Sequence, residues 1–246
     1  MERKGAQNGD FVHKPDAEMF RELNKASGGI VKLLAIAPEV EGAKECIEEL
    51  KDEVVLSVAH TMADYEQAKE AFEHGVHHVT HLYNAMAGLS HRKPGVVGAA
   101  ADDEHVEAEM ICDGVHIHPA TVRQTFKMFG DDRIIMISDS MEATGMPDGD
   151  YALGGQKVIK KGHLATLEDG TIAGSATNLM DCVRVVVQKM NIPLESAVKC
   201  AAVNSAKSVG IYDRYGSITP GKTANMVLLK EKDLSTKQVI LKGKML

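Results

Sequence analysis

A chain of 246 residues, 44% hydrophobic and 26% charged, has the length and composition of one large globular domain, which excludes disorder and collagen-like repeats. No run approaches the roughly 18 apolar residues of a membrane span, and the opening MERKGAQNGD lacks the apolar core of a secretion signal, so a cytoplasmic protein without membrane contacts is expected. A net charge of −7 without a long basic run, with 4% aromatics and no Trp, argues against a nucleic-acid partner and for a small molecule held by polar groups.

In chain order, the apolar run from Ile30 to Ala37 predicts a strand, and the amphipathic stretch from Glu41 to Lys51 predicts the helix after it. A second strand follows from Val54 to Ala59. Its helix runs from Asp64 to Glu73, with Asp64 as the N-terminal cap and Gly75 beyond the end. A third strand covers His77 to His81. Two more are predicted at Glu109 to Cys112 and Arg133 to Ser138, with the helix from Pro119 to Met128 between them. From Gly149 to Gly174 the pattern changes to short segments punctuated by glycine, which predict β-hairpins. Helices return near Thr177 to Lys189 and Leu194 to Val203, and the tail from Gly216 to Leu246 predicts short strands of a small β lobe. The four cysteines, Cys46, Cys112, Cys182 and Cys200, form no CxxC pair and read as reduced core residues.

Repeated βα units imply an α/β fold with a parallel sheet, either doubly wound or a (β/α)8 barrel. Polar residues follow several strands, namely Glu39, His60, His81, His116 and Asp139, and a barrel would gather them on one face. Five strands do not close an eight-stranded barrel, even with one more hidden among Gly95 to Ala101 or near the C-terminal helices. The expected architecture is therefore an incomplete (β/α)8 TIM-type barrel over 1–215, with a hairpin insertion near 149–174, and part of a β lobe over 216–246.

His60 and His81 lie 21 positions apart, about one strand-to-strand repeat, which places them side by side in a parallel array. Two such imidazoles can bind a zinc-like cation, with Asp139 as base on a water; the alternatives are chance placement among 11 histidines and a helix-capping role for Asp139. Asn84 and Ala85 follow His81 in THLYNAM, where loop N–H groups could cradle an anion. Arg92 in SHRKPG could add charge-assisted bonds, its alternative being a solvated surface position. His116 in CDGVHIHP could equally be a satisfied polar residue at a strand end.

Taken together and in order, the segments KGAQN, LAIAPE, AHTMAD, THLYNAM, RKPG, CDGVHIHP, SDSMEATGMPDGDY, LEDGTIAGSATNLM and SITPGKTANMVLL resemble the N-acetylglucosamine-6-phosphate deacetylase family of the amidohydrolase superfamily, along nearly the whole chain. The resemblance implies a divalent metal, zinc or iron, held at the mouth of a (β/α)8 barrel by a glutamate and two histidines that match His60 and His81. It implies Asp139 as the catalytic acid/base and hydrolysis of the acetamide of the sugar phosphate to acetate and glucosamine 6-phosphate. Substrate contacts map onto Ala6, Gln7, Asn84, Ala85, Arg92, Asp113, Gly114, Val115, His116, Ile172, Ala173 and Gly174. Of these, Asn84, Ala85 and Arg92 would meet the phosphate, the arginine reaching in from the partner of a homodimer, while His116 would contact the sugar and Gln7 the acetyl carbonyl.

Two departures stand out. Position 7 is often histidine in the family and is glutamine here, whose amide N–H still donates but with less electrostatic pull. The family's glutamate ligand belongs to an LEGP segment shortly before KGAQN, and the HxH segment near the end of the family's first barrel strand lies further upstream; this sequence starts at MERKGAQN and lacks both segments. An N-terminally truncated member is expected, and Glu39, which follows a different strand, is not the missing ligand. The alternatives to an enzyme of this specificity are an inactive remnant that binds sugar phosphate or pairs with another subunit, and an amidohydrolase acting on a cyclic amide or nucleobase.

Overall fold

The computed structural model describes residues 3–246. The first element is a helix, α1 (Ala17–Ala26), started by Asp16, whose carboxylate accepts the Met19 N–H at 2.9 Å. Sequence reading assigned nothing there, although a capping aspartate followed by Ala17 and Phe20 on one buried face is a helix signature. Then come β1 (Leu33–Ile36), α2 (Ala43–Leu50), β2 (Val55–Val58), α3 (Tyr65–Glu73), β3 (His78–Val79), α4 (Gly95–Asp102), β4 (Glu107–Ile111), α5 (Pro119–Phe129) and β5 (Ile134–Ile137). Asp64 caps α3 as expected and forms a reciprocal box with Gln67. The segment weighed as a hidden strand, Gly95 to Ala101, is helical instead. The third strand is shorter than predicted because His81 adopts φ +34° and leaves the ladder.

The five strands are parallel and lie side by side in chain order. Right-handed crossovers between strands that never reverse direction of succession put every connecting helix on the same face, the arrangement of a barrel wall rather than a doubly wound sheet. Register shows this directly: Ile36, Val58, Val79, Ala108 and Ile134 form one row across the sheet and are all buried against the helices. The neighbouring row, Ala35, Ser57 and His78, faces the opposite way, into the concave interior. The architecture is thus an incomplete (β/α)8-type barrel of five strands.

After β5 the chain builds an antiparallel sheet of β6 (Gly149–Leu153), β7 (Gln156–Lys161) and β8 (Leu164–Leu167), the predicted hairpins. This sheet has its own small core, which includes Ala6, Met141 and Ala173. Helix α6 (Leu179–Met190) then returns to the barrel, followed by α7 (Leu194–Val198), a π-helical turn (Lys199–Asn204) and α8 (Ser205–Ser208). Buried Asn204 explains that turn: its amide donates to the carbonyls of Asp131 and Ile134, both at 2.8 Å, and pins the loop that enters β5. The last sheet is β9 (Met226–Leu229), β10 (Thr236–Leu241) and β11 (Lys244–Met245), tied to α6 where Arg184 donates to the Leu234 carbonyl at 3.0 Å. All four cysteines are buried and free. No helix among the described residues is long and apolar enough to cross a membrane.

Candidate active site

Non-glycine residues in the left-handed region are costly, and they gather where structure overrides local preference. Eight such residues occur among those described, and five of them, His60, His81, Tyr83, Ala85 and Asp139, sit just past the C-terminal ends of β2, β3 and β5. The side chains predicted as ligands and base are therefore those whose backbone is strained, each turned out of its strand toward the mouth of the barrel.

His60 and His81 meet there, Nε2 to Nε2 at 3.0 Å, with the rings edge to face. His60 Nδ1 lies 3.1 Å from the Arg3 carbonyl, which can only accept, so that nitrogen donates and Nε2 is the one turned to His81. Burial, with the neighbouring His60 adding to it, pushes the His81 imidazole down to about 4, so it is neutral at pH 7. The His81 Nδ1 atom is buried without a partner. Two imidazoles whose Nε2 atoms face each other suit a shared cation: nitrogens bound to one tetrahedral zinc lie about 3.3 Å apart. Among the described residues no third His, Cys, Asp or Glu completes a cluster, so this chain offers a two-histidine portion of a site.

Asp139 lines the same cleft. Burial raises its carboxyl above the ordinary range, partly opposed by the charges of His116 and His60 and reinforced by Asp113. Asp113 has no accessible side-chain surface. Its carboxylate accepts from the Val115 N–H at 2.8 Å, the His116 N–H at 2.9 Å and His116 Nδ1 at 2.8 Å. Burial works against the Asp113 charge, but those donors outweigh it and hold the carboxyl below its usual range. Asp113 thus acts through His116, fixing the ring so that Nε2 is its free nitrogen. The third turn is braced by Gly174. A Cβ built there would lie 3.1 Å from the Asp139 carbonyl, and φ is +65°. The adjacent Ser175 N–H donates to that same carbonyl at 2.7 Å.

Of the remaining predicted contacts, Gln7, Asn84, Ala85, His116, Ile172 and Gly174 line the cleft. Ala6 lines it too, but its methyl is buried in the hairpin core. Ala173 is buried in that core, and Gly114 and Val115 lie on the exposed turn that carries His116 without lining the cleft. The Asn84 backbone N–H donates to the His81 carbonyl at 2.9 Å, and its side-chain amide to the carbonyls of His81 and Leu82 at 3.2 and 3.3 Å, so these donors are engaged within the loop. Arg92 is exposed, bonded to His91 at 2.9 Å, and does not line the cleft of its own chain.

Sequence reading missed a polar cluster on the concave face beneath the histidines. Ser57 Oγ bonds His78 Nδ1 at 2.8 Å and Thr80 Oγ1 at 2.6 Å, and His78 Nε2 lies 3.8 Å from Glu109 Oε1. Burial pushes His78 down to about 4 and Glu109 up to about 7, Glu109 being raised further by Asp139. The available signal was polarity at alternating positions of otherwise apolar strands, as in VLSVAH and EAEMIC.

The model of the Amidohydrolase family matches residues 2–246. N-acetylglucosamine-6-phosphate deacetylase of Bacillus subtilis is 39% identical to this chain over 228 residues, covering 92% of this chain and 58% of the relative. N-acetylgalactosamine-6-phosphate deacetylase of Escherichia coli is 36% identical over 243 residues, covering 95% and 63% respectively. Among solved structures, a mutant N-acetyl-D-glucosamine-6-phosphate deacetylase of Mycobacterium smegmatis in complex with N-acetyl-D-glucosamine-6-phosphate superimposes with a TM-score of 0.93 at 35% identity, covering 99% of this chain and 65% of that one. The chain therefore spans about three fifths of the length of the proteins it matches (58%, 63% and 65%).

Proposed function

The chain belongs to the amidohydrolase family, and from that premise we propose that the whole protein hydrolyses the acetamide of N-acetylglucosamine 6-phosphate to acetate and glucosamine 6-phosphate. The observation that carries the proposal is the convergence of His60 and His81 nitrogens at 3.0 Å at the mouth of the barrel that Asp139 also lines. Two relatives bearing the names of phosphorylated N-acetyl-amino-sugar deacetylases support the substrate class.

In this reading His60 and His81 hold a divalent cation, zinc or iron. When bound, the cation supplies positive charge that acidifies a water and polarises the acetamide carbonyl. Asp139 takes the proton from the attacking water as its oxygen bonds the carbonyl carbon. It returns that proton to the sugar nitrogen as the C–N bond breaks, because an amine anion is a very poor leaving group. A carboxyl raised by burial is better matched to both transfers than an ordinary aspartate. Gln7 donates to the acetyl carbonyl, and His116, fixed by Asp113, offers Nε2 to a sugar hydroxyl. Ile172 and Gly174 shape the wall around the sugar, Gly114 and Val115 form the turn that presents His116, Ala173 anchors the 172–174 loop in the hairpin core, and Ala6 sets the position of Gln7.

Asn84 and Ala85 receive the phosphate, Asn84 by exchanging its side-chain bonds to the His81 and Leu82 carbonyls for bonds to the phosphate oxygens. Arg92, which does not line the cleft of its own chain, serves that of a second copy in this reading, which makes the working unit a homodimer. The division into a barrel part over 1–215 and a β lobe over 216–246, a cytoplasmic location and the absence of a nucleic-acid partner belong to the same proposal.

Acetate release by the whole, metal-loaded protein tests it. Turnover of N-acetylglucosamine 6-phosphate, and not of the unphosphorylated sugar, is expected; the C4 epimer, N-acetylgalactosamine 6-phosphate, tests which sugar is preferred. Sugar-phosphate binding without acetate at any metal loading would contradict the reading and favour a non-enzymic binding protein.

A further inference from the structure

Glu39 lies beyond the end of β1, is not one of the side chains assigned above, and makes two short contacts to the turn that carries His60. Its Oε1 accepts the Met62 N–H at 2.6 Å, and its Oε2 accepts the Thr61 hydroxyl at 2.5 Å. The Thr61 oxygen in turn accepts the Ala63 N–H at 2.8 Å, and the Thr61 N–H donates to the Ala85 carbonyl at 3.0 Å. One carboxylate therefore gathers the three residues after His60 and, through Thr61, fastens them to the loop that carries His81 and Ala85. Arg3 grips the same turn from the opposite side: its carbonyl meets His60 Nδ1, and its Nε lies 3.1 Å from Met62 Sδ.

The need for such a clamp is physical. His60 at φ +47° and Ala85 at φ +51° are both held in a conformation that L-residues avoid, and Thr61 is completely buried. Without an acceptor, the Met62 N–H and the Thr61 hydroxyl would compete for other partners, and the turn would relax toward an extended path that swings the His60 ring away from His81. Charge-assisted bonds to an ionised carboxylate resist that relaxation more strongly than neutral ones.

We propose that Glu39 is a positioning residue for the two-histidine site: it holds the His60 turn in register with the His81 loop, so that both Nε2 atoms converge. The inference rests on the metal reading of His60 and His81, and its test separates the two. In the 246-residue chain, cobalt(II) affinity is measured by calorimetric titration for the wild type, Glu39→Ala, Glu39→Gln and Lys199→Ala, the last removing ion pairs to Asp131 and Asp132 at the entry to β5, the opposite end of the sheet from the site. Glu39→Ala is expected to weaken cobalt(II) binding by on the order of 10- to 100-fold, the range typical of residues that orient a metal ligand. Glu39→Gln recovers part of the affinity, since its one carbonyl oxygen still accepts one of the two donors, and Lys199→Ala keeps wild-type affinity.

Crystal structures of the wild type and Glu39→Ala without added metal decide the matter independently of binding. A changed His60–His81 separation with an altered path over residues 60–63 supports the clamp, and an unchanged separation overturns it. Wild-type cobalt(II) affinity in Glu39→Ala overturns it as well. If the wild-type chain binds no cobalt(II), the metal reading falls, and the two crystal structures still decide whether Glu39 sets the histidine separation.

Discussion

Asp139 sits between opposing pressures: burial favours its neutral form, while His116 and His60 favour its charge. That balance suits a group that must accept a proton and give it back. In the whole protein, Asp139→Asn is expected to lower acetate release by at least about 100-fold while leaving bound metal unchanged, as read by turnover and elemental analysis of the same sample. Glu109 is different. Its pKa rises from 4.5 to about 7 in the folded chain, so the folded state binds the extra proton between those values, and stability is lost as pH climbs through that window. The side chain is 16% exposed, and the full shift corresponds to about 3 kcal/mol. In denaturant melts of the metal-free chain, Glu109→Gln is therefore expected to match wild type near pH 4.5 and to be the more stable above pH 7. Parallel wild-type and Glu109→Gln curves across that range would contradict the buried-carboxyl assignment. His60 and Asp139 were legible in the sequence because each follows an apolar strand, and His81 because it lies about one strand-to-strand repeat after His60. Glu109, His78 and Ser57 were not, because a polar side chain inside a strand reads as an exposed one until the sheet's concave face is known.

The elements that deliver these side chains are short strands followed by abrupt turns. Their limits were readable where local chemistry sets them: Asp64 with Gln67 for α3, and Pro119 for α5. They were misread where a tertiary requirement prevails. His81 leaves β3 early because its turn is held by the loop over residues 82–85, and Gly95–Asp102 is helical although its run of Val, Gly and Ala permits a buried strand. Glu39 stands outside the ligand set expected from the sequence, and its role across the β1 and β2 ends depends on a contact between neighbours that no local pattern displays. Gly174 shows how tightly the turns are packed. Gly174→Ala places a methyl group against the Asp139 carbonyl in a left-handed residue, and a loss of about 1–2 kcal/mol is expected in urea denaturation. Asp64→Ala is expected to cost about 1 kcal/mol in the same assay. A neutral Gly174→Ala would mean that the 172–174 loop does not brace Asp139.

Across the molecule, the parallel sheet keeps its helices on one face and its chemistry at one end, so distant segments of the sequence meet in a single cleft. The N-terminal residues Arg3 to Asn8 reach it by packing on the hairpin sheet: Gln156 donates to the Ala6 carbonyl at 2.7 Å, and Asn8 to the Gly154 carbonyl at 3.0 Å. The hairpins, which looked like an interruption of the βα pattern, are thus what brings Gln7 and the 172–174 loop to face the histidines. That joint placement required the fold; the alternation of strands and helices alone implied only a common end for the strand termini. X-ray diffraction collected at the zinc edge from crystals of this chain grown with zinc should show an anomalous peak at about 2.0–2.1 Å from Nε2 of both His60 and His81. A map without that peak, or with zinc bound only elsewhere while the two rings remain in place, would contradict the metal site on which the proposed hydrolysis depends.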